Sequence, residues 1–240
     1  MNLVDLHCHI LPYVDDGAFD KDESDVLLKE YQKQNITAVC ATPHLRKGMF
    51  ETPDEEIKKQ FSRMKKRAEA AEIPIKFFLS REYHADYLFY EHLKKGEIIT
   101  LGKGNHILIE FSNMHTEENI RRCLQRITRF GYTPLIAHVE RYRVLTGDTD
   151  KIKSLINDEG AKIQVNAGSI LGREGKKQTK WTHELLDQKL VHVVASDAHD
   201  PEKRPPELEK CREYLEKKYG EEYTKKIMYV TPAKILLGKE

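Results

Sequence analysis

The chain has 240 residues, with 40 Lys and Arg against 39 Asp and Glu and a formal net charge of +1. That balance excludes the basic excess of a dedicated nucleic-acid binder, and 33% charged with 39% hydrophobic residues excludes a disordered chain. At roughly 150 residues per domain the length fits one α/β barrel, so a single domain over residues 1–240 is expected.

The opening residues run straight into a strand, with no basic region followed by an apolar stretch, so no signal peptide is expected. No apolar run approaches the roughly 20 residues needed to cross a bilayer, and no membrane insertion is expected. Strand 3–7 ends in His7-Cys8-His9, and Asp15 and Asp16 lie in the loop after it. A helix over 24–34 leads to strand 36–42, which runs into Pro43-His44. Thr52-Pro53-Asp54 opens a helix over 54–71, and strand 75–79 runs into Glu82. Residues 83–93 hold Tyr83, Tyr87, Phe89 and Tyr90. They read either as a helix on the barrel rim or as the lining of a pocket that accepts an aromatic ring. Strand 107–111 carries Glu110, and Thr116-Glu117-Glu118 opens a helix over 117–130 that stops at Gly131. Strand 134–138 ends in His138, with Arg141 close behind. A helix over 149–159 stops at Gly160, strand 162–166 follows, and a helix over 182–188 precedes strand 192–196. That last strand ends in Asp197-Ala198-His199, with Arg204 five residues on and stiffened by Pro205-Pro206. The charged segment 205–240 is expected to be helical and to pack across the barrel or its rim.

Seven strands that are apolar almost throughout, each followed by a helix, imply parallel pairing with both faces covered. The expected architecture is a distorted (β/α)7 TIM-like barrel. An open doubly wound sheet is the alternative, and no Gly-rich phosphate loop follows the first strand to favour it. Six of the seven strands deliver His, Asp or Glu at their C-terminal end, where barrels build active sites. Singly, each has a bland reading: a chance HxH pair, a satisfied core histidine, a helix N-cap. Together, His7, His9, Asp16, His44, Glu82, Glu110, His138, Asp197 and His199 read as ligands for two or three divalent ions. Imidazole with carboxylate suits Mn, Fe, Zn or Co rather than a thiolate-rich structural zinc. Cys8 points away from the face of His7 and His9 by the strand period. The four cysteines, Cys8, Cys40, Cys123 and Cys211, form no CxxC pair, and a reducing cytoplasm is the expected setting. Arg141 and Arg204 suit phosphate oxygens in a bidentate grip. Their alternatives are a salt bridge to Glu140 or another neighbour and a solvated loop charge. Arg46, Lys47 and Phe50 read either as a greeting surface for a phosphopeptide or as a solvated loop.

The stretches DLHCHILPYVDDGA, ATPH, SREY, LIEF, IAHVERY, QVNAGS and ASDAHDPEKRPP span residues 3–206 in order. As a set they resemble the PHP (polymerase and histidinol phosphatase) superfamily. More narrowly, they are similar to the bacterial manganese-dependent tyrosine-protein phosphatases of capsule and exopolysaccharide operons. The resemblance implies a PHP fold, a three-metal cluster on the nine residues above (Asp16 rather than Asp15), and a phosphate held by Arg141 and Arg204. It further implies a phosphotyrosine protein substrate, the tail of a bacterial tyrosine autokinase that regulates polysaccharide export. Arg81 before Glu82 and Leu45 after His44 depart from the family pattern and bear on substrate preference or local charge. The chain lacks the Cys-x5-Arg loop of thiol-based tyrosine phosphatases. The expected chemistry is metal-activated hydroxide attacking phosphorus, with no general acid assigned. Rival readings are hydrolysis of a small phosphomonoester such as histidinol phosphate, an amidohydrolase, or a non-catalytic module that keeps the metal and phosphate sites.

Overall fold

Runs of Val, Ile and Leu form parallel strands with side chains packed on both faces. The structure, a computed structural model, describes residues 1–239. Its elements in chain order are β1 (Leu3–Cys8), α1 (Lys21–Lys33), β2 (Ile36–Ala41), β3 (His44–Leu45), α2 (Asp54–Ala70), β4 (Lys76–Leu79), β5 (Glu82–His84) and α3 (Tyr87–Lys95). There follow β6 (His106–Glu110), α4 (Glu117–Arg129), β7 (Thr133–Ile136), α5 (Thr149–Glu159), β8 (Lys162–Asn166), α6 (Ala167–Ile170), α7 (Lys176–Asp187), β9 (Val193–Ala195), α8 (Leu208–Tyr219), α9 (Glu221–Lys225) and α10 (Thr231–Leu237). β1, β2 and β4 form one sheet; β3, β5, β6, β7, β8 and β9 form a second, with parallel pairing throughout.

The two sheets make one curled surface. β2 continues into β3, and β4 into β5, after short breaks. Ser80 N donates to Ala41 O and Glu82 N to Pro43 O across those breaks. At the far edge a parallel bridge joins Cys8 to Ala198, with Asp197 N donating to His7 O (2.9 Å) and His9 N to Ala198 O (2.8 Å). The expected seven-strand distorted barrel therefore holds, with two strands each broken in two. Lower on that seam a buried carboxylate stands in for ladder bonds. Asp5 accepts from Ser196 N (3.0 Å), Ser196 Oγ (2.5 Å) and Tyr31 OH (2.8 Å).

Alternation along the strands divides the core in two. Val4, Leu6, Leu108, Leu135 and Val193 share an inner cluster with Leu101, Ile235 and Leu236. Leu3, Val39, Ile107, Ile136 and Ile163 join an outer one with helix residues such as Leu28, Ile57, Leu124 and Leu155. Leu6 and Cys8, two residues apart, fall in different clusters, because the β1–β2 register shifts between Asp5 and Cys8. The closing segment is helical, as expected, and α10 crosses the N-terminal end of the barrel. There Lys103 N donates to Leu236 O (2.9 Å). Gly102 sits so close that a Cβ on it would stand 2.3 Å from Leu236 O. Glu240, the last residue of the expected segment, lies outside the described residues.

Three local expectations shift. Residues 83–93 divide into β5 and α3, because Asp86 caps the helix by accepting from Leu88 N and Phe89 N. α7 starts six residues before position 182, its first turns being polar and exposed. His138 lies beyond β7 in a left-handed conformation (φ 32°), starting the 3-10 turn Val139–Arg141.

Candidate active site

All nine sequence-predicted ligands meet at the C-terminal mouth of the barrel. His7 Nε2 and His9 Nε2 stand 3.2 Å apart. Glu82 Oε2 lies 3.1 and 3.3 Å from them, and Asp197 Oδ1 3.4 and 3.5 Å. Bonds of about 2.0–2.1 Å to one central ion give tetrahedral edges of about 3.4 Å, so these spacings are those of a ligand shell. His44 Nδ1 is 3.1 Å from Glu82 Oε2 and 3.4 Å from Glu110 Oε1, making a second group. Asp16 Oδ1, 3.5 Å from His44 Nε2 and 3.6 Å from His199 Nε2, closes a third with His9. His138 Nε2 approaches the other oxygen of Glu82, Oε1, at 2.8 Å. Glu82 Oε2, His44 Nδ1 and His199 Nε2 are buried with no hydrogen-bond partner. Buried polar atoms are almost always satisfied, and cations among these donors would satisfy all three.

The histidines are aimed by acceptors on their outer nitrogens. His9 Nδ1 donates to Asp15 Oδ2 (2.7 Å), and His199 Nδ1 to the carbonyl of Asp197 (3.0 Å). His7 Nδ1 donates to Gln164 Oε1 (3.1 Å), which also accepts from His138 N (2.9 Å). Tyr142 OH gives its one proton to Ala137 O (3.0 Å), so its contact with His138 Nδ1 (3.2 Å) is accepted from the imidazole. In each case the Nε2 lone pair is left facing the centre, which is how metal-binding imidazoles are oriented. Gly17 packs against this frame: a Cβ on it would stand 2.1 Å from His9 O.

The charges reinforce one another. Burial alone would raise the Glu82 carboxyl, but His7, His44 and His138 hold it well below the usual carboxylate range. Burial opposes protonation of His9, and Asp15 and Glu82 nonetheless lift it well above an ordinary imidazole. Burial and the neighbouring His9 charge push His199 down to about 4.

Arg141 and Arg204 converge on one atom. Arg141 Nη1 donates to Asp197 Oδ2 at 2.9 Å and Arg204 Nη2 to the same oxygen at 2.7 Å. Asn166 Nδ2 donates there too (2.8 Å), while its Oδ1 accepts from Gln164 Nε2 (2.7 Å). Neither arginine pairs with Glu140, which accepts instead from Asn166 N and Ser169 Oγ. The far edge of Arg141 is gripped by Glu174, with Nε to Oε2 at 2.9 Å and Nη2 to Oε1 at 2.6 Å. A cavity of about 170 Å³ lies beside the pair, lined by Asn166, Arg173, Asp197 and Lys203 among others. Asp16, Tyr13, Val14, Phe19 and Phe50 line a groove of about 830 Å³, which shares Lys203 with that cavity. Tyr13 and Phe19 are 63% and 80% exposed.

Phe50 stacks on His44 at 5.1 Å, and the hairpin that carries it is fixed by reciprocal Arg46–Phe50 backbone bonds. Arg81 is a buried strut, donating to His44 O (2.7 Å), Thr52 O (3.1 Å) and Asp54 Oδ1 (2.5 Å). Leu45 is buried in the outer core. Sequence reasoning missed Asp15 as the partner of His9, Gln164 as a shared acceptor, Glu174 as the clamp on Arg141, and His84, whose Nδ1 lies 3.2 Å from Glu110 Oε1. The cysteine thiols stay out of this chemistry. All four are buried, and burial raises each above its ordinary value.

A family model described as "Capsular polysaccharide synthesis, CpsB/CapC" matches residues 3–237. The tyrosine-protein phosphatase CpsB of Streptococcus pneumoniae is 37% identical, over 99% of each chain. The tyrosine-protein phosphatase YwqE of Bacillus subtilis is 30% identical, over 92% of this chain and 86% of its own. A crystal structure from work on YwqE and CpsB, described as unique metal-dependent tyrosine phosphatases, superposes with a TM-score of 0.91. It is 28% identical over 99% of this chain and 96% of that one. A histidinol phosphate phosphatase of Lactococcus lactis (TM-score 0.52, 13% identity, 82% of this chain and 86% of that one) shares the fold alone. The chain belongs to the CpsB/CapC family.

Proposed function

We propose, with membership of the CpsB/CapC family as the premise, that this protein is a metal-dependent hydrolase of phosphotyrosine in proteins. The observation that carries the reading is the gathering of nine donor side chains at the barrel mouth, with two arginines on the carboxylate of one of them. His7, His9, Asp16, His44, Glu82, Glu110, His138, Asp197 and His199 are the proposed metal ligands. Two or three divalent ions fit that donor set, with manganese the proposed metal. Such ions supply Lewis acidity and lower the pKa of water enough to give hydroxide near neutral pH.

The chain's own residues do the rest. Arg141 and Arg204 bind the phosphoryl oxygens and neutralise charge that grows in the transition state, a fixed electrostatic contribution. Asp197 and Glu174 hold the Arg141 guanidinium plane, so little ordering remains when substrate arrives. Phe50, Phe19 and Tyr13 offer the phenyl ring an apolar wall. A phenol of pKa about 10 leaves without a strong acid behind it, and no side chain is assigned that role. The proposed substrate is the tyrosine-bearing tail of a bacterial tyrosine kinase in capsule or exopolysaccharide synthesis, in the cytoplasm. No helix among the described residues is long and apolar enough to cross a membrane.

The test is hydrolysis of a phosphotyrosine peptide, a phosphoserine peptide, p-nitrophenyl phosphate and histidinol phosphate. Each is run on metal-stripped protein and after adding Mn, Zn or Mg, for the parent and His138→Ala. Metal-dependent release from phosphotyrosine that survives thiol alkylation and disappears in the variant is expected. A preference for histidinol phosphate would move the substrate to a small phosphomonoester. Stoichiometric metal binding without turnover on any substrate would leave a binding module.

A further inference from the structure

A second groove opens at the same mouth, on the side away from Arg141 and Arg204. It measures about 420 Å³ and is lined by Tyr90, Met114, His115, Asn119, Arg122 and Arg126 among others. It begins directly beside the donor cluster. Ala85 N, at its edge, donates to Glu110 O (3.0 Å), and Ser112, also in its wall, follows Glu110 by two residues. The wall is rigid. His115 Nδ1 accepts from Ser112 N (3.0 Å) and its Nε2 reaches Ala85 O (3.1 Å), which fixes the orientation of the ring.

No carboxylate lines this groove, yet two guanidinium groups do. Arg126 is set 4.8 Å over the Tyr90 ring, and no acidic partner engages it among the described residues. Arg122 commits one nitrogen to Glu118 (2.5 Å) and keeps its other donors. Asn119 spends its oxygen on capping α4 at Thr116, which leaves its amide N–H groups available. The cradle around Arg141, across the mouth, is the one that answers the phosphate. This one, with planar forks at a half-open surface, answers a second, weaker anion.

We propose that the groove binds an acidic side chain, Asp or Glu, of the protein substrate, one to three residues from the phosphotyrosine. The inference rests on the phosphotyrosine reading above and adds a sequence preference to it. An extended peptide advances about 3.3–3.6 Å per residue, so one to three residues carry the chain about 3–11 Å away from the phosphotyrosine. Met114, 89% exposed at the rim, gives the peptide an apolar contact on the way.

The experiment is a scan. Phosphotyrosine decapeptides carry a single Glu, or Gln as control, at each position from three before to three after the phosphotyrosine. They are assayed on the metal-loaded protein, Arg126→Gln, Arg126→Lys and the double variant Arg122→Gln/Arg126→Gln. One narrow window is expected where Glu raises kcat/KM about fivefold over Gln, the weight of an exposed bidentate pair. That gain fades at high salt, survives in part in Arg126→Lys and vanishes in the double variant. Hydrolysis of p-nitrophenyl phosphate, too small to reach the groove, stays unchanged in all four proteins. The proposal is overturned if no position favours Glu, or if Arg126→Gln slows Glu and Gln peptides alike. Binding of the same labelled peptides, followed by fluorescence anisotropy, keeps the two readings apart. Turnover of no phosphotyrosine peptide would sink the phosphatase reading, and equal binding of Glu and Gln peptides would sink the groove.

Discussion

The two ends of the barrel are made by the same strands and obey opposite rules. At the N-terminal end Leu101, Ile235 and Leu236 close the interior with apolar side chains that are almost wholly buried. At the C-terminal end the same strands finish in histidines and carboxylates, buried nearly as deeply. His138 and Asp197, both at the mouth, adopt positive φ of 32° and 52° without being glycine. Such conformations cost of order 1–3 kcal/mol each and persist only where the surroundings over-determine them. The contrast teaches that stability and chemistry are separated along the length of each strand. The apolar end carries the fold, and the mouth can therefore hold groups that would prefer to be elsewhere.

If that separation is real, damage at the mouth should cost activity and damage below should cost stability. The largest effect is expected from Asp197→Asn, which weakens a donor in the first ligand group and the anchor of both arginines. Its kcat should fall about 10²–10³-fold or more, on the scale of losing a preorganised transition-state contact. Metal content by elemental analysis should fall with it, and the far-ultraviolet circular dichroism should not change. Next comes Leu236→Ala, which should lower the unfolding free energy in urea by about 2–5 kcal/mol and leave kcat per folded molecule as it was. A matching loss of kcat in that variant would erase the distinction between the two ends.

The smallest effect sharpens the comparison at the apolar end. His192 leads into β9, and burial, then Lys162 and Lys226, push it down to about 4. An unfolded imidazole titrates near 6.5. Because its folded value is depressed, the unfolded chain takes up the proton first as pH falls. The contribution of His192 is complete above about 6.5 and shrinks on the way down to 4. Thermal melts should show the parent losing more stability than His192→Gln between pH 7 and 4.5. Equal losses would mean that the acid response comes from elsewhere.

The nine donors were legible because residue type and strand period agree. A carboxylate inside Ile-Leu-Ile-Glu-Phe, or a histidine after Pro-Leu-Ile-Ala, has few reasons to be there. Their supports were not legible, because a supporting contact is set by folding rather than by spacing. Glu174 reaches Arg141 across 33 residues, and Gln164 serves His7 from 157 residues away. Asp15 and Asp16 are neighbours of the same type. Only the loop geometry sends one to His9 Nδ1 and leaves the other half-exposed among the ligand atoms. Strand existence was readable, but strand breaks were not. Arg81 reads as an oddity of local charge, whereas it ties the start of α2 to β3 and so sets where Glu82 begins.

The seam between β1 and β9 has a consequence for biosynthesis. Ser196 meets Asp5 across 191 residues of sequence, and His7 shares its ligand group with Asp197. During translation β1 has no partner on that edge until β9, which follows it across about 190 residues, has left the ribosome. A ribosome-bound fragment ending before β9 holds only part of each donor set that includes Asp197 or His199. Closure of the ring and assembly of the proposed catalytic centre are therefore one event, which waits on contacts far apart in sequence.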